Sequence, residues 1–244
     1  MHEHTHVDRC LSTRRGFLRL AGAGAGLALA STAPWSTRWA RADQAPAPNA
    51  LSGDEALKRL VDGNARYVRG ELEIKDFAAS RASLARGQSP HSVILSCSDS
   101  RVAPELAFDQ GRGDLFVVRL AGNSLTPAGL ASIEYAVEFL GSSLILVLGH
   151  TSCGAIEAAI KVVKEDAKLP GHLPELIDDL RPAVVAAQKQ SGDLLVNATR
   201  TNVAMTVAAM IAAKPIVSEK VAAGKVKVAG GIYDLSTGKV ELLS

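Results

Sequence analysis

The stretch Val93-Ile94-Leu95-Ser96-Cys97-Ser98-Asp99-Ser100-Arg101 decides the fold when it is read beside Leu144-Ile145-Leu146-Val147-Leu148-Gly149-His150-Thr151-Ser152-Cys153-Gly154. Each opens on an apolar run of strand length, and each then turns abruptly polar. Strands that are apolar throughout occur in parallel sheets covered by helices on both faces, so the pair predicts an α/β domain. Such sheets place their chemistry at the carboxyl ends of the strands. There this chain carries two thiols, an imidazole, a carboxylate and a guanidinium, from Cys97, Cys153, His150, Asp99 and Arg101.

The flanking sequence fits that frame. Ser52-Gly53-Asp54-Glu55 reads as a capping box opening a helix that ends near Gly70, with Leu57, Leu60, Val61 and Tyr67 at helical spacing. A second helical piece is expected over 77–86. Strands are expected at 93–96, 114–119, 144–148 and 226–233, and a turn at Ala121-Gly122-Asn123. Helices are expected at 127–140, 154–164, 174–190 and 193–213, with Pro215 ending the last. Asp234-Leu235-Ser236-Thr237-Gly238 reads as a hairpin turn that returns 240–243 as an antiparallel edge strand. The expected architecture is a mainly parallel central sheet with an antiparallel edge strand and helices on both faces.

Composition narrows the class. A chain of 244 residues, 47% hydrophobic and 21% charged, is long and apolar enough for one α/β domain with a full core. Aromatic residues are only 4%, so that core is built from Val, Leu, Ile and Ala. The formal charge of +2 misleads, because residues 1–42 hold six arginines against Glu3 and Asp8. The remainder has 21 basic and 23 acidic residues, with no basic stripe and no stacking aromatics, so no nucleic-acid partner is expected.

Residues 1–42 read as an address. Thr13-Arg14-Arg15-Gly16-Phe17-Leu18-Arg19 resembles the twin-arginine export signal of bacteria, and 20–37 is uncharged and rich in Ala and Gly. Ala40-Arg41-Ala42 fits a small-x-small cleavage site, with Ala28-Leu29-Ala30 competing. A membrane anchor is the alternative, but a span needs about 20 predominantly apolar residues, and Gly22, Gly24, Gly26 and Pro34 weaken the run. The expected organisation is therefore a signal over 1–42, a linker over 43–51 containing two prolines, and one domain over 52–244. The expected destination is the periplasm, by the twin-arginine machinery, with no stable membrane span after cleavage. That route exports folded proteins, often with a cofactor loaded. Cys10 lies in the signal, which leaves Cys97 and Cys153; in an oxidising compartment they would pair unless a metal protected them.

Catalytic zinc takes three protein ligands and keeps a fourth position open. Cys97, His150 and Cys153 supply that count, with His-x-x-Cys delivered by one strand-end turn and Cys97 by its neighbour. The plain alternative is two buried cysteines acting as small hydrophobes. Asp99 and Arg101, alternate residues of an extended segment, share a side and can pair. The plain version of that pair is a surface salt bridge worth little. The sharper version is a carboxylate beside the open position that accepts a hydrogen bond from the nucleophile there, held off the metal and kept ionised by the arginine.

Cys-x-Asp-x-Arg followed by His-x-x-Cys-Gly resembles the signature of the β-class carbonic anhydrases. The likeness extends through Pro104-Glu105, Phe108-Asp109, 113–119 and 121–123, back to Gly63-Asn64-Ala65-Arg66-Tyr67, and forward to Tyr233-Asp234 and Thr237-Gly238. The resemblance implies reversible hydration of carbon dioxide to bicarbonate, one Zn²⁺ per subunit on Cys97, His150 and Cys153, and an Asp99–Arg101 catalytic dyad in which Asp99 binds the metal in a closed state. It implies Gln88, Phe116, Ala121 and Gly154 around the substrate. It also implies homodimers or higher homo-oligomers in which the N-terminal helix packs on the partner. Some bacterial members carry an inhibitory bicarbonate pocket of Trp, Arg and Tyr; Arg119 and Tyr233 match it, but Ile94 stands at the Trp position. Other classes fit less well. Gly-x-Ser-x-Gly fails at His150, and Cys-x-x-Cys is absent. A non-catalytic zinc protein, or a relative acting on CS₂ or COS, is separated by assay.

Overall fold

The computed structural model describes residues 51–73 and 75–243; the signal expected over 1–42 and all of the expected linker except Leu51 lie outside the described residues. The elements in order are α1 (Gly53–Arg69), α2 (Arg81–Leu84), β1 (Ser92–Ser96), α3 (Pro104–Ala107), β2 (Leu115–Arg119), a 3₁₀ turn (Ala121–Asn123) and α4 (Pro127–Phe139). They continue with β3 (Leu144–His150), α5 (Gly154–Glu165), α6 (Leu173–Ala187), α7 (Leu194–Ala212), α8 (Ile216–Ala222), β4 (Lys227–Tyr233) and β5 (Val240–Leu243). The expected sheet is present, in the order β2-β1-β3-β4-β5, parallel throughout except for the β4–β5 pair.

Every residue of β1 and β3 is buried, which explains their unbroken apolar runs. Alternate residues face opposite layers. Val93, Leu95, Ile145 and Val147 meet Ile133 of α4, Val203 and Met210 of α7 and Val217 of α8. Ile94, Leu144, Leu146 and Leu148 meet Ala56 and Leu60 of α1 and Ala107 and Phe108 at the end of α3. The order β2-β1-β3 has a consequence for function. From β1 the chain crosses to one side and then returns to the other, so a crevice opens beyond the carboxyl ends of β1 and β3.

Two corrections concern helices. The piece expected over 77–86 shrinks to the four residues of α2, none of them buried. Asp76 Oδ1 accepts the Ala78 and Ala79 N–H groups, which closes a turn in competition with the helix. Helices α3 and α8 were not expected; each is too short to carry a periodic signal. By length and composition α7 could cross a membrane, with mean hydropathy 1.2. It instead packs Val203 and Met210 into the core and buries Thr199, Asn202 and Thr206.

Helix α1 is stitched to the far end of the chain. A Cβ at Gly63 would overlap the Phe108 carbonyl, so only glycine lets α1 lie this close. Buried Asn64 then donates through Nδ2 to Ala107 O at 2.9 Å and Gly238 O at 2.8 Å, and accepts the Val240 N–H at 2.8 Å. One carboxamide thus joins α1, α3 and the β4–β5 hairpin. Arg66 pairs with Asp109 at 2.6 Å, and the Tyr67 and Tyr233 hydroxyls meet at 3.0 Å.

Candidate metal centre

Cys97 follows β1 directly, and His150 ends β3, with Cys153 three residues on as the N-cap of α5. The ligand atoms of all three lie within 4.8 Å of one another, and all three residues are buried. The topology accounts for this: the two adjacent central strands end together at the switch point, and the Thr151–Ser152 turn curls Cys153 back over them, with Ser152 at φ 53.

The imidazole is oriented for a ligand. Its Nδ1 lies 2.9 Å from Thr151 O, an acceptor, so Nδ1 carries the proton and donates. Nε2 therefore presents a lone pair, and it is buried with no hydrogen-bond partner among the described residues. A buried imine nitrogen facing two sulfurs is costly when unpartnered. The sulfurs carry their own conflict. The Cys153 thiol beside Cys97 stabilises its thiolate and brings that pKa down to about 4, whereas the Cys97 sulfur and burial push Cys153 up. One thiolate opposes the other, and a divalent cation removes that opposition. The set fits Zn²⁺: two sulfurs and one oriented nitrogen are the three protein donors that would hold it.

Asp99 borders this cluster, its Oδ2 3.8 Å from His150 Nε2. Arg101 holds both carboxylate oxygens, Nε on Oδ1 at 2.9 Å and Nη2 on Oδ2 at 2.6 Å, while its own backbone N–H also reaches Oδ1. The guanidinium beside Asp99 keeps that carboxyl well below the usual carboxylate range, so it is ionised at neutral pH. Arg101 Nη2 also donates to Ser152 O, linking the two loops. Ala121 is carried to the centre by Gly122, whose N–H donates to Cys97 Sγ at 3.2 Å. Gly154 follows Cys153, and nothing lies within 4 Å of where a Cβ would project.

Seven of the nine expected site residues therefore gather at one point: Cys97, Asp99, Arg101, Ala121, His150, Cys153 and Gly154. Gln88 and Phe116 do not join them within one chain. Gln88 is exposed in a surface depression with Arg112 and Gly113, at the amino ends of β1 and β2. Phe116 pairs in register with Val93, and the strand from there to Cys97 spans about 13 Å at strand rise. Phe116 lies instead beside Tyr135, which leads on to exposed Phe139. Ile94 already tells against the inhibitory pocket, and its other two matches, Arg119 and Tyr233, are otherwise engaged. Arg119 donates to Cys97 O and Asp99 O, the Tyr233 hydroxyl is tied to Tyr67, and Ile94 is fully buried. The supporting roles of Arg119, Thr151 and Gly122 were not foreseen; only the turn at Gly122 gave a sequence signal.

A Cys₂His set with an adjoining carboxylate–guanidinium pair, at the switch point of a parallel sheet, defines a metal-dependent enzyme that activates a small nucleophile. The chain belongs to the carbonic anhydrase family, whose model matches residues 92–240. A carbonic anhydrase of Mycolicibacterium smegmatis is 40% identical over 190 residues, covering 78% of this chain and 92% of that one. Among solved structures, the Coccomyxa β-carbonic anhydrase in complex with acetazolamide superposes with TM-score 0.62 at 28% identity, over 77% of this chain and 86% of that one. A tetrameric β-carbonic anhydrase of Sordaria macrospora gives TM-score 0.60 at 26% identity, over 68% and 87%.

Proposed function

We propose that this carbonic anhydrase holds one Zn²⁺ on Cys97, His150 and Cys153, hydrates carbon dioxide reversibly to bicarbonate and a proton, and works in the periplasm as a homo-oligomer after twin-arginine export. The observation that carries the zinc assignment is the buried, unpartnered His150 Nε2 facing the two sulfurs. Zn²⁺ there supplies a Lewis-acid position at which water is activated near neutral pH. The residues do the rest. Asp99, ionised and fixed by Arg101, accepts the hydrogen of the attacking nucleophile and so aims a lone pair at the substrate. Arg101 keeps that carboxylate in place as a bidentate, always-charged partner, a role lysine would not reproduce. Ala121 and Gly154 border the approach with small, uncharged surface, which suits a small apolar substrate.

Assembly from several copies is supported by the distance of Gln88 and Phe116 from this chain's own centre and by the exposed Tyr135–Phe139 pair beside Phe116. Export is supported by Arg14-Arg15 and the uncharged run behind them.

Two measurements test these proposals. Zinc-loaded protein is expected to hydrate CO₂ with one zinc per chain, to lose turnover on chelation and to regain it with added zinc. Full turnover in metal-free protein would overturn the zinc assignment. Native mass spectrometry of the periplasmic form is expected to give a multimer of chains starting near Asp43 and lacking both Trp35 and Trp39. A monomer would remove Gln88 and Phe116 from the site, and retention of Trp39 would move the cleavage point.

A further inference from the structure

A polar side chain stands where the core helix should be apolar. Asn202 lies in the middle of α7, adjacent in sequence to core Val203, and is only 5% exposed. Asparagine is a poor helix former, and a buried carboxamide costs stability unless it is bonded. Its Nδ2 donates to Gly122 O at 2.8 Å. Gly122 is the residue whose own N–H donates to Cys97 Sγ. The two peptide groups of one glycine are thus both held, one by α7 and the other by the sulfur.

The intervening geometry is narrow. Gly122 is left-handed, with φ 64 and ψ 18. A Cβ there would stand 2.9 Å from Leu180 Cδ1 and 3.3 Å from Ala155 Cβ, so the position admits only glycine. Glycine alone leaves the turn free to rotate. Backbone bonds tie the flanks of the turn, Asn123 N–H to Leu120 O at 2.8 Å and Leu120 N–H to Ser96 O at 3.0 Å, and neither holds the Gly122 carbonyl. The grip on the Gly122 carbonyl comes from outside the turn, from Asn202.

We infer that Asn202 is a positioning residue for the metal centre: by holding the Gly122 carbonyl it keeps the Gly122 N–H on the Cys97 sulfur and so sets how strongly that thiolate donates to the metal. The inference rests on Cys97 being a zinc ligand. Hydrogen bonds to a ligating sulfur draw charge from it and leave the metal more electron-poor. That matters here because two thiolates already neutralise a dication, which weakens its power to acidify water.

Cobalt substitution reads the effect directly, because the thiolate-to-cobalt charge-transfer band reports the electron density on sulfur. The full-length protein is prepared as the Zn²⁺ and Co²⁺ forms for wild type, Asn202→Leu and Asn202→Ser, with Thr206→Val as a control for disturbing the same buried helix face. Both Asn202 variants are expected to move the band to lower energy, to lower kcat about 10-fold with KM little changed, and to shift the pH midpoint of kcat upward. Thr206→Val is expected to leave band, kcat and midpoint at wild-type values. A purely structural role for Asn202 would lower the melting temperature and leave the band in place. If neither Asn202 variant moves the band, or if Thr206→Val moves it equally, the inference is overturned. Asn202→Ser is the milder change and serves the same reading where Asn202→Leu does not fold. A wild-type protein with no thiolate-to-cobalt band at all would instead overturn the zinc assignment, and this inference with it.

Discussion

His150→Ala is expected to lose zinc and CO₂ hydration together. The imidazole supplies the only nitrogen of the set, and among the described residues its Nε2 has no hydrogen-bond partner. Removing it leaves two sulfurs within 4.8 Å of that vacated place and no third donor from the same residues. Asp99 is the nearest other candidate, but both of its oxygens are engaged by Arg101. Cys97→Ser and Cys153→Ser are expected to behave in the same way, because a neutral hydroxyl is a far weaker zinc donor than a thiolate. Zinc content by elemental analysis, with turnover on the same samples, checks all three. Full zinc and full turnover in Cys153→Ser would show that the ligand set is wrong.

Arg101→Ala is expected to give the opposite pairing of outcomes: zinc retained, turnover reduced about 10- to 100-fold, the range typical of groups that hold metal-site residues in place. Arg101 makes no contact with the three ligand side chains among the described hydrogen bonds; it holds Asp99 and reaches Ser152 O. Without it, Asp99 becomes a free carboxylate whose oxygen already lies 3.8 Å from His150 Nε2. A carboxylate is a good zinc ligand, so it is expected to occupy the open position and exclude water. X-ray absorption should then report two sulfurs, one nitrogen and a carboxylate oxygen. Asp99→Asn is the companion variant, expected to keep zinc with an exchangeable water. Near wild-type turnover in Arg101→Ala would reduce the pair to a surface salt bridge, and the proposed role of Asp99 would fall with it.

The ligands and the dyad were legible because they are local. Cys97, Asp99 and Arg101 sit within one strand-end segment, and His150 and Cys153 within another, so spacing carries their geometry. The parallel sheet was legible for a similar reason: strands buried on both faces advertise themselves as unbroken apolar runs. Asn64 shows what such reading misses. Its three bonds go to Ala107, Gly238 and Val240, and no feature near position 64 points to residues so far along the chain. Asn202 is the same case, a polar residue in an apolar helix whose partner lies in a turn far upstream. Gln88 and Phe116 are a different case. Resemblance assigns them to a substrate site, yet the sheet places them near the amino ends of β1 and β2, and one sequence does not say whose site they serve. The overextended helix over 77–86 reflects a side chain, Asp76, capturing backbone groups that a periodic pattern counts as helical.

The placement of Cys97 and Cys153 on loops after two adjacent strands has a consequence in the statistics of the chain. A cation held by both ties together the two ends of a long segment that includes α3, β2, the 3₁₀ turn, α4 and β3. A cross-link over a loop of that length removes conformational freedom from the unfolded polymer worth about 4 kcal/mol in chain-entropy terms. The centre is then a fastener as well as a reagent. On the proposed export route, in which the protein crosses a membrane folded and works beyond the reach of cellular chaperones, it would depend on the centre twice, for turnover and for staying closed.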